Sequence, residues 1–283
     1  MPFKVYTNLG KEVEFEEFVF PGGEVHVRLK GHVGDEGTVY AEIRNSDDIM
    51  KLFLLESAIT EQGGKYINLV MPYIPYARQD RVCNPGEPFS MGVFGSLIDD
   101  ARFYNVVTCD PHSDVAWASI HSHTTIGVEE IIKRAEIDWE EVDGIISPDA
   151  GATKKVFPIA QAYDIPFLQA LKIRDTSTGD ITRTQVVCGD GALIGSKILI
   201  IDDLCDGGRT FVELGKVLKR DHGVERVELY VTHGLFSKGL DVFEGNIDKI
   251  HCAFPWIEPE GIMSTFDYPL PGVYNAEQSV NCD

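Results

Sequence analysis

Short apolar runs alternate with amphipathic segments along most of the chain. The apolar runs predict strands over residues 12–20, 66–71, 105–109, 144–147, 167–171, 197–201 and 227–231. Helices are predicted between them, over 89–98, 128–135 and 211–220, from Thr153, and from Ser46, which we expect to cap a helix that stops at Gly63-Gly64. Strands and helices that alternate in this way indicate parallel sheets covered by helices.

The alternation restarts after the acidic segment Asp138-Trp139-Glu140-Glu141. A chain of 283 residues exceeds one average domain, so two domains of similar size are the natural expectation. We therefore predict an α/β protein with an N-terminal domain over 1–139 and a C-terminal domain over 140–283, each a mostly parallel sheet flanked by helices.

Polar residues repeatedly follow the carboxyl ends of the predicted strands. They lie at 73–81, 110–114, 147–153, 172–174, 202–210 and 232–237. Ligands of open α/β sheets bind at that edge, so the pattern predicts a binding or catalytic site there.

The chain is strongly acidic, with 45 Asp and Glu against 25 Lys and Arg and a formal net charge of −20. Such a surface repels nucleic acid and anionic membranes, and we expect neither as a partner. A polyanionic substrate would have to be bound by divalent cations together with a few Arg and Lys side chains. Most of the acidic residues are expected to serve solubility alone.

The remaining composition indicates a globular protein of the cytoplasm. No run of about 18 apolar residues is present, and no apolar stretch follows a basic start, so neither a membrane span nor a secretory leader is expected. The six cysteines are scattered and form no C-x-x-C pair. This usage is typical of unpaired thiols in a reducing compartment rather than of disulfides or a structural zinc site.

The segment from Ile198 to Thr210 carries the most chemistry. An apolar run ends in Asp202 and Asp203, and a Gly-Gly turn then leads into a predicted helix. Glycines allow backbone N–H groups to close around a phosphate, and the helix directs its positive end toward the anion. The two carboxylates would repel a phosphate, so sugar hydroxyls or a divalent cation suit them better. A plain strand–turn–helix connection with acidic surface residues is the alternative.

A second segment, Pro75-Tyr76-Ala77-Arg78-Gln79-Asp80-Arg81, places two guanidinium groups, an amide and a carboxylate in four consecutive residues. Arg side chains suit phosphate oxygens, and Gln can hydrogen-bond a nucleotide. By chemistry alone, a solvated surface turn is the simpler interpretation. The heptapeptide, however, resembles the ATP-binding signature of the phosphoribosyl pyrophosphate synthetases (ribose-phosphate diphosphokinases).

Further segments resemble that family in the same order. They are Phe20-Pro21-Gly22-Gly23-Glu24, Asp110-Pro111-His112-Ser113, Ser147-Pro148-Asp149-Ala150-Gly151, Lys172-Ile173-Arg174, the loop 202–210, and Thr232-His233-Gly234-Leu235-Phe236-Ser237. The resemblance implies two similar phosphoribosyltransferase-like domains. The N-terminal one would carry the ATP-binding segments, and the C-terminal one the ribose 5-phosphate loop and the catalytic Lys/Arg loop.

The resemblance also implies a reaction: Mg²⁺-dependent transfer of the β,γ-diphosphoryl group of ATP to the 1-hydroxyl of ribose 5-phosphate. The products would be AMP and phosphoribosyl pyrophosphate for nucleotide and NAD synthesis. Lys172 and Arg174 would be catalytic, and His112 and Asp149 would hold the Mg²⁺. ATP would be bound by Phe20, Glu24, Arg78, Gln79, Asp80, Arg81 and His112. Ribose 5-phosphate would be bound by Asp202, Asp203, Asp206, Gly207, Gly208, Arg209 and Thr210.

In the family, the adenine pocket borrows its Phe-containing loop from a neighbouring subunit. The resemblance therefore implies a homo-oligomer in which Phe20 and Glu24 serve the partner's site. The composition of residues 175–184 is typical of a mobile lid, and a β-hairpin that turns at Thr178-Gly179 is compatible with that role.

Three positions depart from the family pattern. Gly22 stands where Asp is usual, and Gly207 and Arg209 stand where Thr and Gly are usual. A non-catalytic regulatory homologue therefore stays open as an alternative, although Lys172 and Arg174 are retained. A phosphoribosyltransferase is the other alternative, but that class needs no ATP site.

Overall fold

The computed structural model describes residues 3–174, 181–187, 189 and 191–257. The chain folds into two units, and the described residues fall at 3–126 in the first and 127–257 in the second. The units divide between Ile126 and Gly127, ahead of the boundary after residue 139 that the sequence predicts. The difference arises because Val128, Ile132 and Ile137 pack into the core of the second unit.

The first unit is built on a parallel sheet with one antiparallel edge strand. Its elements are β1 (Phe3–Thr7), β2 (Phe15–Val19), β3 (Val25–Leu29), β4 (Glu36–Ala41), α1 (Ser46–Glu61), β5 (Tyr66–Val70), α2 (Ser90–Asp100), β6 (Asn105–Cys109), α3 (Asp114–Ala118) and β7 (His123–Ile126). The sheet has the order β1-β4-β5-β6-β7, in which β4 to β7 are parallel and β1 is antiparallel. Strands β2 and β3 form a separate antiparallel hairpin.

Helices α1 and α2 bury their apolar side chains against the first sheet. Leu52 and Leu55 of α1 and Phe94 of α2 share a core with apolar residues of the strands. Helix α1 begins at Ser46, but the preceding Asn45 caps it, since its side chain accepts a hydrogen bond from the Asp48 backbone N–H at 3.1 Å. The expectation that Ser46 is the cap was therefore wrong by one residue.

The second unit contains a six-stranded sheet. Its elements are α4 (Val128–Ile131), β8 (Gly144–Ser147), α5 (Thr153–Ala162), β9 (Phe167–Arg174), β10 (Ile181–Val186), β11 (Lys197–Cys205), α6 (Arg209–His222), β12 (Arg226–Gly234) and β13 (Lys249–Pro255). Short 3₁₀ turns cover Ile132–Arg134, Trp139–Glu141 and Asp241–Phe243. The strand order is β10-β9-β8-β11-β12-β13, and only the β10–β9 pair is antiparallel among the described strands of this sheet.

Both faces of the second sheet are covered by helices. Ile198 and Ile200 of β11 pack on one face with Leu214 of α6, whereas Leu199 and Ile201 pack on the other with α5. Burial on both faces explains why these strands read as continuous apolar runs. The predicted α/β class, with mostly parallel sheets flanked by helices, is confirmed.

Strand β10 pairs with β9 as the hairpin interpretation of this region requires. The proposed turn at Thr178-Gly179, and most of the predicted lid over 175–184, lie outside the described residues. Cys83, Cys205 and Cys252 are free thiols, and Cys188 and Cys282 lie outside the described part of the chain. Among the described residues, no helix is both long and apolar enough to cross a membrane.

Candidate active site

Two of the predicted ATP-binding segments follow neighbouring parallel strands of the first unit. Strands β5 and β6 pair through Val70 and Val107, and the Cys109 N–H donates to the Pro72 carbonyl at 3.0 Å. The carboxyl ends of parallel strands meet at one edge of a sheet. The segments 73–81 and 110–114 therefore start from the same edge of the first sheet.

The segment 75–81 is a tight turn fixed to helix α2. Tyr76 has a left-handed backbone with φ of 64°, which a non-glycine residue adopts only where its surroundings impose it. The Gln79 N–H donates to the Tyr76 carbonyl at 2.8 Å, and the Met91 N–H in α2 donates to the Gln79 carbonyl at 3.2 Å. Arg78, Gln79 and Arg81 are thus held on an ordered backbone with exposed side chains.

The two arginine side chains of this turn face solvent. The Arg81 side chain is 82% exposed, and its Nε lies 3.9 Å from Oδ1 of the largely buried Asp80. An exposed ion pair of this length contributes little to stability. The arrangement suits the capture of a polyanion better than it suits structure.

The turn after β6 brings His112 to the surface. Asp110 is buried with φ of 40°, and its N–H donates to the Ile126 carbonyl at 2.8 Å. Ser113 caps α3 by accepting from the Ala116 N–H at 3.3 Å. Between these two fixed points the His112 side chain is exposed.

Phe20 and Glu24 lie at the tip of the β2–β3 hairpin, outside the five-stranded sheet. The Phe20 N–H donates to the Glu24 carbonyl at 2.9 Å, and Gly23 turns the chain with φ of 94°. The Phe20 ring is 46% exposed and lies 5.7 Å from the His26 ring. A Cβ placed on Gly22 would lie 3.3 Å from Oε2 of Glu24, so the Glu24 carboxylate occupies the space beside the missing side chain.

In the second unit, four neighbouring strands carry the remaining predicted segments. The order β9-β8-β11-β12 is parallel throughout. Lys172 and Arg174 lie at the carboxyl end of β9, and the loop 147–153 follows β8. Asp202 and Asp203 belong to β11, and the segment 232–237 ends β12. All four segments therefore gather at one edge of the sheet.

The residues 206–210, called here the Gly-rich loop, join β11 to α6. Gly208 has φ of 75°, and a Cβ there would come within 2.5 Å of the Phe243 ring, so only glycine fits. The N–H groups of Phe211 and Val212 both donate to the Gly208 carbonyl at 3.0 Å, which starts the helix. The N-terminal end of α6 carries the positive end of the helix dipole and is a favourable environment for an anion.

The Gly-rich loop is also fixed from the side. Ser237 donates its backbone N–H to the Asp206 carbonyl at 3.1 Å and its hydroxyl to Oδ1 of Asp206 at 2.6 Å. Arg209 is exposed at the first turn of α6, and Thr210 is partly buried. The loop is therefore anchored by the segment that follows β12.

Asp202 and Asp203 lie inside β11, not after it, because β11 continues to Cys205 while it pairs with β12. The Asp203 N–H donates to Oδ1 of Asp202 at 3.0 Å. Burial raises the pKa of the Asp202 carboxyl well above its ordinary range, and the carboxylates of Asp203 and Asp149 raise it further. Like charges thus face one another across the ends of β8 and β11.

This acidic group fits a divalent cation only in part. Within the described part of the chain, no three His, Cys, Asp or Glu side chains are arranged to hold a metal ion by themselves. Mg²⁺ keeps several waters and binds through one or two carboxylates together with substrate phosphates. Asp149 is oriented for this role by its own loop, since its Oδ1 accepts the N–H groups of Gly151 and Ala152 at 3.0 and 3.1 Å.

The thiol beside the acidic group is unreactive. Burial raises the pKa of Cys205 to about 12, and Asp202 and Asp206 contribute to the rise. A thiol in this state supplies no nucleophile near neutral pH.

Two lysines that contact the hairpin and the Gly-rich loop were not predicted from the sequence. Lys51 of α1 is buried and binds Glu17 of the hairpin at 2.8 Å and Asp48 at 3.1 Å. A charged residue between Met50 and Leu52 was the available signal. Lys238 lies directly after the matched segment 232–237 and next to the Gly-rich loop.

A glycine-rich turn between an acidic parallel strand and a helix, set in a helix-covered parallel sheet, is typical of α/β proteins that bind phosphorylated ligands, and the match to the phosphoribosyl transferase domain gives the class. Comparison with known proteins gives the particular family. The family model described as the N-terminal domain of ribose phosphate pyrophosphokinase matches residues 4–101, and the phosphoribosyl transferase domain matches residues 116–258.

Individual relatives agree with these matches. The ribose-phosphate pyrophosphokinase of Thermococcus kodakarensis is 30% identical over 237 residues, which cover 81% of this chain and 80% of the relative. That of Thermoplasma acidophilum is 28% identical over 259 residues, covering 88% and 86%. The crystal structure of phosphoribosylpyrophosphate synthetase from Mycobacterium smegmatis has the same fold, with a TM-score of 0.73 at 22% identity over 88% of this chain and 83% of that one. The chain belongs to the ribose-phosphate pyrophosphokinase family.

Proposed function

We propose that this protein transfers the β,γ-diphosphoryl group of ATP to the 1-hydroxyl of ribose 5-phosphate. The observation that carries the proposal is the gathering of four chemically distinct segments at the carboxyl edge of β9, β8, β11 and β12. Family membership supports the same reaction, since the curated relatives are named ribose-phosphate pyrophosphokinase.

The sugar phosphate binds at the end of β11. The Gly-rich loop surrounds the 5-phosphate with backbone N–H groups, and the first turn of α6 adds its positive dipole end. Asp202 and Asp203 accept hydrogen bonds from the ribose hydroxyls. Because Asp206 is fixed by Ser237, the loop has its shape before the substrate arrives, which limits the entropy lost on binding.

ATP binds to the segments of the first unit. Arg78 and Arg81 contact phosphate oxygens, Gln79 hydrogen-bonds the nucleotide, and Asp80 orients the arginines. Phe20 stacks on the base and Glu24 accepts a hydrogen bond from it. Both lie at an exposed hairpin tip, which supports the further proposal that they serve a neighbouring subunit of a homo-oligomer. A verified monomer should then be nearly inactive, and full activity of such a monomer would contradict the shared site.

His112 and Asp149 would hold the Mg²⁺. When bound, the ion neutralises charge on the phosphate oxygens. The mutual repulsion of the carboxylates around Asp202 supports a cation at this place, since a cation would remove it.

The reaction is an in-line displacement at the β-phosphorus. The oxygen of the 1-hydroxyl forms the new bond to Pβ. The bond between Pβ and the oxygen that bridges Pα and Pβ breaks, and that oxygen leaves with AMP. The hydroxyl proton is released. Lys172 and Arg174 stabilise the charge that grows on the transferring group, and because that charge is largest in the transition state, their loss should lower turnover more than binding.

Phosphorus NMR of the purified protein with Mg²⁺, ATP and ribose 5-phosphate tests the proposal. We expect AMP and a ribosyl diphosphate signal, neither of which should form when ribose 5-phosphate is omitted. Ribose 5-phosphate that carries ¹⁸O in the 1-hydroxyl should keep the label in the C1–O–Pβ bridge, because the hydroxyl oxygen is the attacking atom.

If ATP stays intact, and other nucleoside triphosphates are not consumed either, the result would instead favour the non-catalytic regulatory homologue. The departures at Gly22, Gly207 and Arg209 would then be its first explanation. Exchange of each for the usual residue, beginning with Gly22→Asp, would show which one abolished turnover.

A further inference from the structure

Lys238 extends along the Gly-rich loop. A Cβ placed on Gly207 would lie 3.5 Å from both Cδ and Cε of Lys238 and 3.7 Å from its Cγ. These are ordinary van der Waals distances, so the alkyl chain of the lysine runs across the bare backbone of Gly207. A side chain longer than a methyl group at position 207 would compete with Lys238 for this space, whereas the glycine leaves the space to the lysine.

The root of Lys238 is fixed at the same loop. The preceding Ser237 makes two hydrogen bonds to Asp206. Phe236, one residue earlier, is buried, and its carbonyl accepts the Gly239 N–H at 2.8 Å. The backbone of Lys238 therefore sits in a closed turn whose position relative to the Gly-rich loop is set by Asp206.

Within the described part of the chain, the ammonium group of Lys238 has no carboxylate partner. Its side chain is exposed, and across 3–174, 181–187, 189 and 191–257 no carboxylate forms an ion pair with it. Other lysines nearby differ: Lys216 pairs with Glu213, and Lys219 pairs with Asp248. In a chain with a net charge of −20, a cation left without a partner beside an anion-binding loop is a candidate ligand for the anion.

We propose that the Lys238 ammonium binds the phosphate of ribose 5-phosphate directly, as a substrate-binding residue particular to the Gly207 loop. The inference rests on the proposed function, because it takes the phosphate of a sugar phosphomonoester as the anion. Backbone N–H groups supply directional hydrogen bonds, and Lys238 adds a full positive charge to neutralise the dianion.

The test is calorimetric titration of the full-length protein with ribose 5-phosphate in the absence of nucleotide. Lys238→Met keeps the alkyl chain and removes the charge, and we expect it to raise the Kd at least about tenfold, or about 1.4 kcal/mol. The KM for ribose 5-phosphate should rise in parallel while the KM for ATP stays within twofold. Lys238→Arg should retain most of the affinity, and added salt should narrow the difference between wild type and Lys238→Met.

Lys216→Met is the matched control, because it removes the same charge from an exposed position on α6. It should change neither constant. A second control is Gly207→Thr in the Lys238→Ala background, where the long side chain no longer lies across position 207 and the added hydroxyl should recover part of the affinity that Lys238→Ala loses. The same Gly207→Thr change in the presence of Lys238 should give no gain, because the two side chains overlap.

The outcomes separate this inference from the proposed function. If wild type forms product but Lys238→Met binds ribose 5-phosphate as wild type does, Lys238 is not a ligand and the inference is wrong. If wild type forms no product, yet Lys238→Met weakens binding tenfold, the inference holds and the transfer reaction does not. Absence of ribose 5-phosphate binding to wild type would overturn both.

Discussion

Replacing Lys51 by Met should loosen the β2–β3 hairpin from helix α1. Lys51 is only 5% exposed, and its ammonium joins Glu17 on β2 to Asp48 on its own helix, with the Phe3 ring 4.9 Å away. Methionine fills nearly the same volume, so the change removes the charge without leaving a large cavity. The perturbation therefore tests the ion pairs rather than the packing.

The expected loss in the free energy of unfolding follows from the two carboxylates that Lys51→Met leaves without their ammonium partner. Removal of one member of a buried ion pair costs about 3–5 kcal/mol. Glu17 is 44% exposed and can be rehydrated, but Asp48 stays buried and keeps its bond from the Arg44 N–H at 2.9 Å. We therefore expect a loss of about 2–3 kcal/mol in the first unit.

Burial lowers the pKa of the Lys51 ammonium, but the hydrogen bonds and charges of Glu17 and Asp48 raise it more, and its net pKa lies above the ordinary value of 10.5. Because the pKa of Lys51 is higher in the folded than in the unfolded protein, its stabilising effect is complete at any pH below the unfolded-state pKa. The effect is lost only as the pH rises through the folded-state pKa. The effect of Lys51→Met should thus be the same at every pH between about 6 and 9.

Hydrogen–deuterium exchange followed by mass spectrometry is the suitable assay, because it reports each unit separately. Peptides from β2, β3 and α1 should exchange about 30- to 150-fold faster in Lys51→Met, while peptides of the second unit should not change. The double variant Asp48→Asn/Lys51→Met should recover part of the protection, since it removes the orphaned charge.

Lys30→Met is the control on the same hairpin. Lys30 pairs with Glu16 across the two strands, but both side chains are about half exposed, so its loss should accelerate exchange less than about fivefold. Equal effects of Lys30→Met and Lys51→Met, or an effect of Lys51→Met below twofold, would refute the reasoning that burial gives the Lys51 ion pairs their strength.

Four further outcomes are expected. Asp202→Asn should raise the melting temperature of the ligand-free protein by a few degrees, because it removes repulsion in the acidic group, and should abolish product formation; a lower melting temperature would contradict the repulsion. Gly208→Ala should cost at least about 1 kcal/mol in urea denaturation and weaken ribose 5-phosphate binding, since a Cβ there meets a buried ring at φ of 75°; wild-type stability would show that the turn tolerates a side chain. Lys172→Ala should lower kcat sharply and leave ATP binding nearly intact, and comparable loss of ATP affinity would make Lys172 a ground-state ligand. Iodoacetamide at pH 8 should modify the exposed Cys83 and spare Cys205, whose pKa of about 12 keeps it protonated, as peptide mapping would reveal.

The elements that were predicted correctly from the sequence are those whose ends coincide with a turn or with polar residues in the adjacent sequence. Strands β6 and β8 have the predicted bounds, because apolar runs stop at a turn or at polar residues. Helix α5 begins at Thr153 as predicted. These boundaries depend on near neighbours in the chain, which the sequence displays directly.

Other elements depend on distant partners. Strand β11 continues four residues beyond the predicted end at Ile201, through two Asp residues, because it stays paired with β12 as far as Cys205. Strand β4, which was not among the predicted strands, joins β1 to β5. Pairing across the sheet overrides local polarity in both places.

The same distinction between local and distant contacts applies to the residues of the candidate site. The family resemblance gave the segments around Arg78, Asp149 and Asp202, because their residues are contiguous in the chain. It could not give Lys51 or Lys238, since their roles arise from contacts with Glu17 and Gly207 far away in the sequence. The placement of the acidic residues on paired strands likewise needed the fold.

The strand register of the second sheet has an evolutionary consequence. Ile200 lies opposite Ile146, and Leu204 lies opposite His233. The number of residues between these paired positions and each segment of the site therefore determines where the segment lies. Side chains alternate between the two faces of a strand, so a single-residue deletion within β11 would exchange the orientations of Asp202 and Asp203 and disrupt the packing of residues 198–201 against the helices on both faces. Insertions are therefore tolerable in descendants of this gene only in connections remote from this edge, such as the 3₁₀ turn at Trp139–Glu141. Divergence within β8, β11 and β12 should proceed by substitution at constant length.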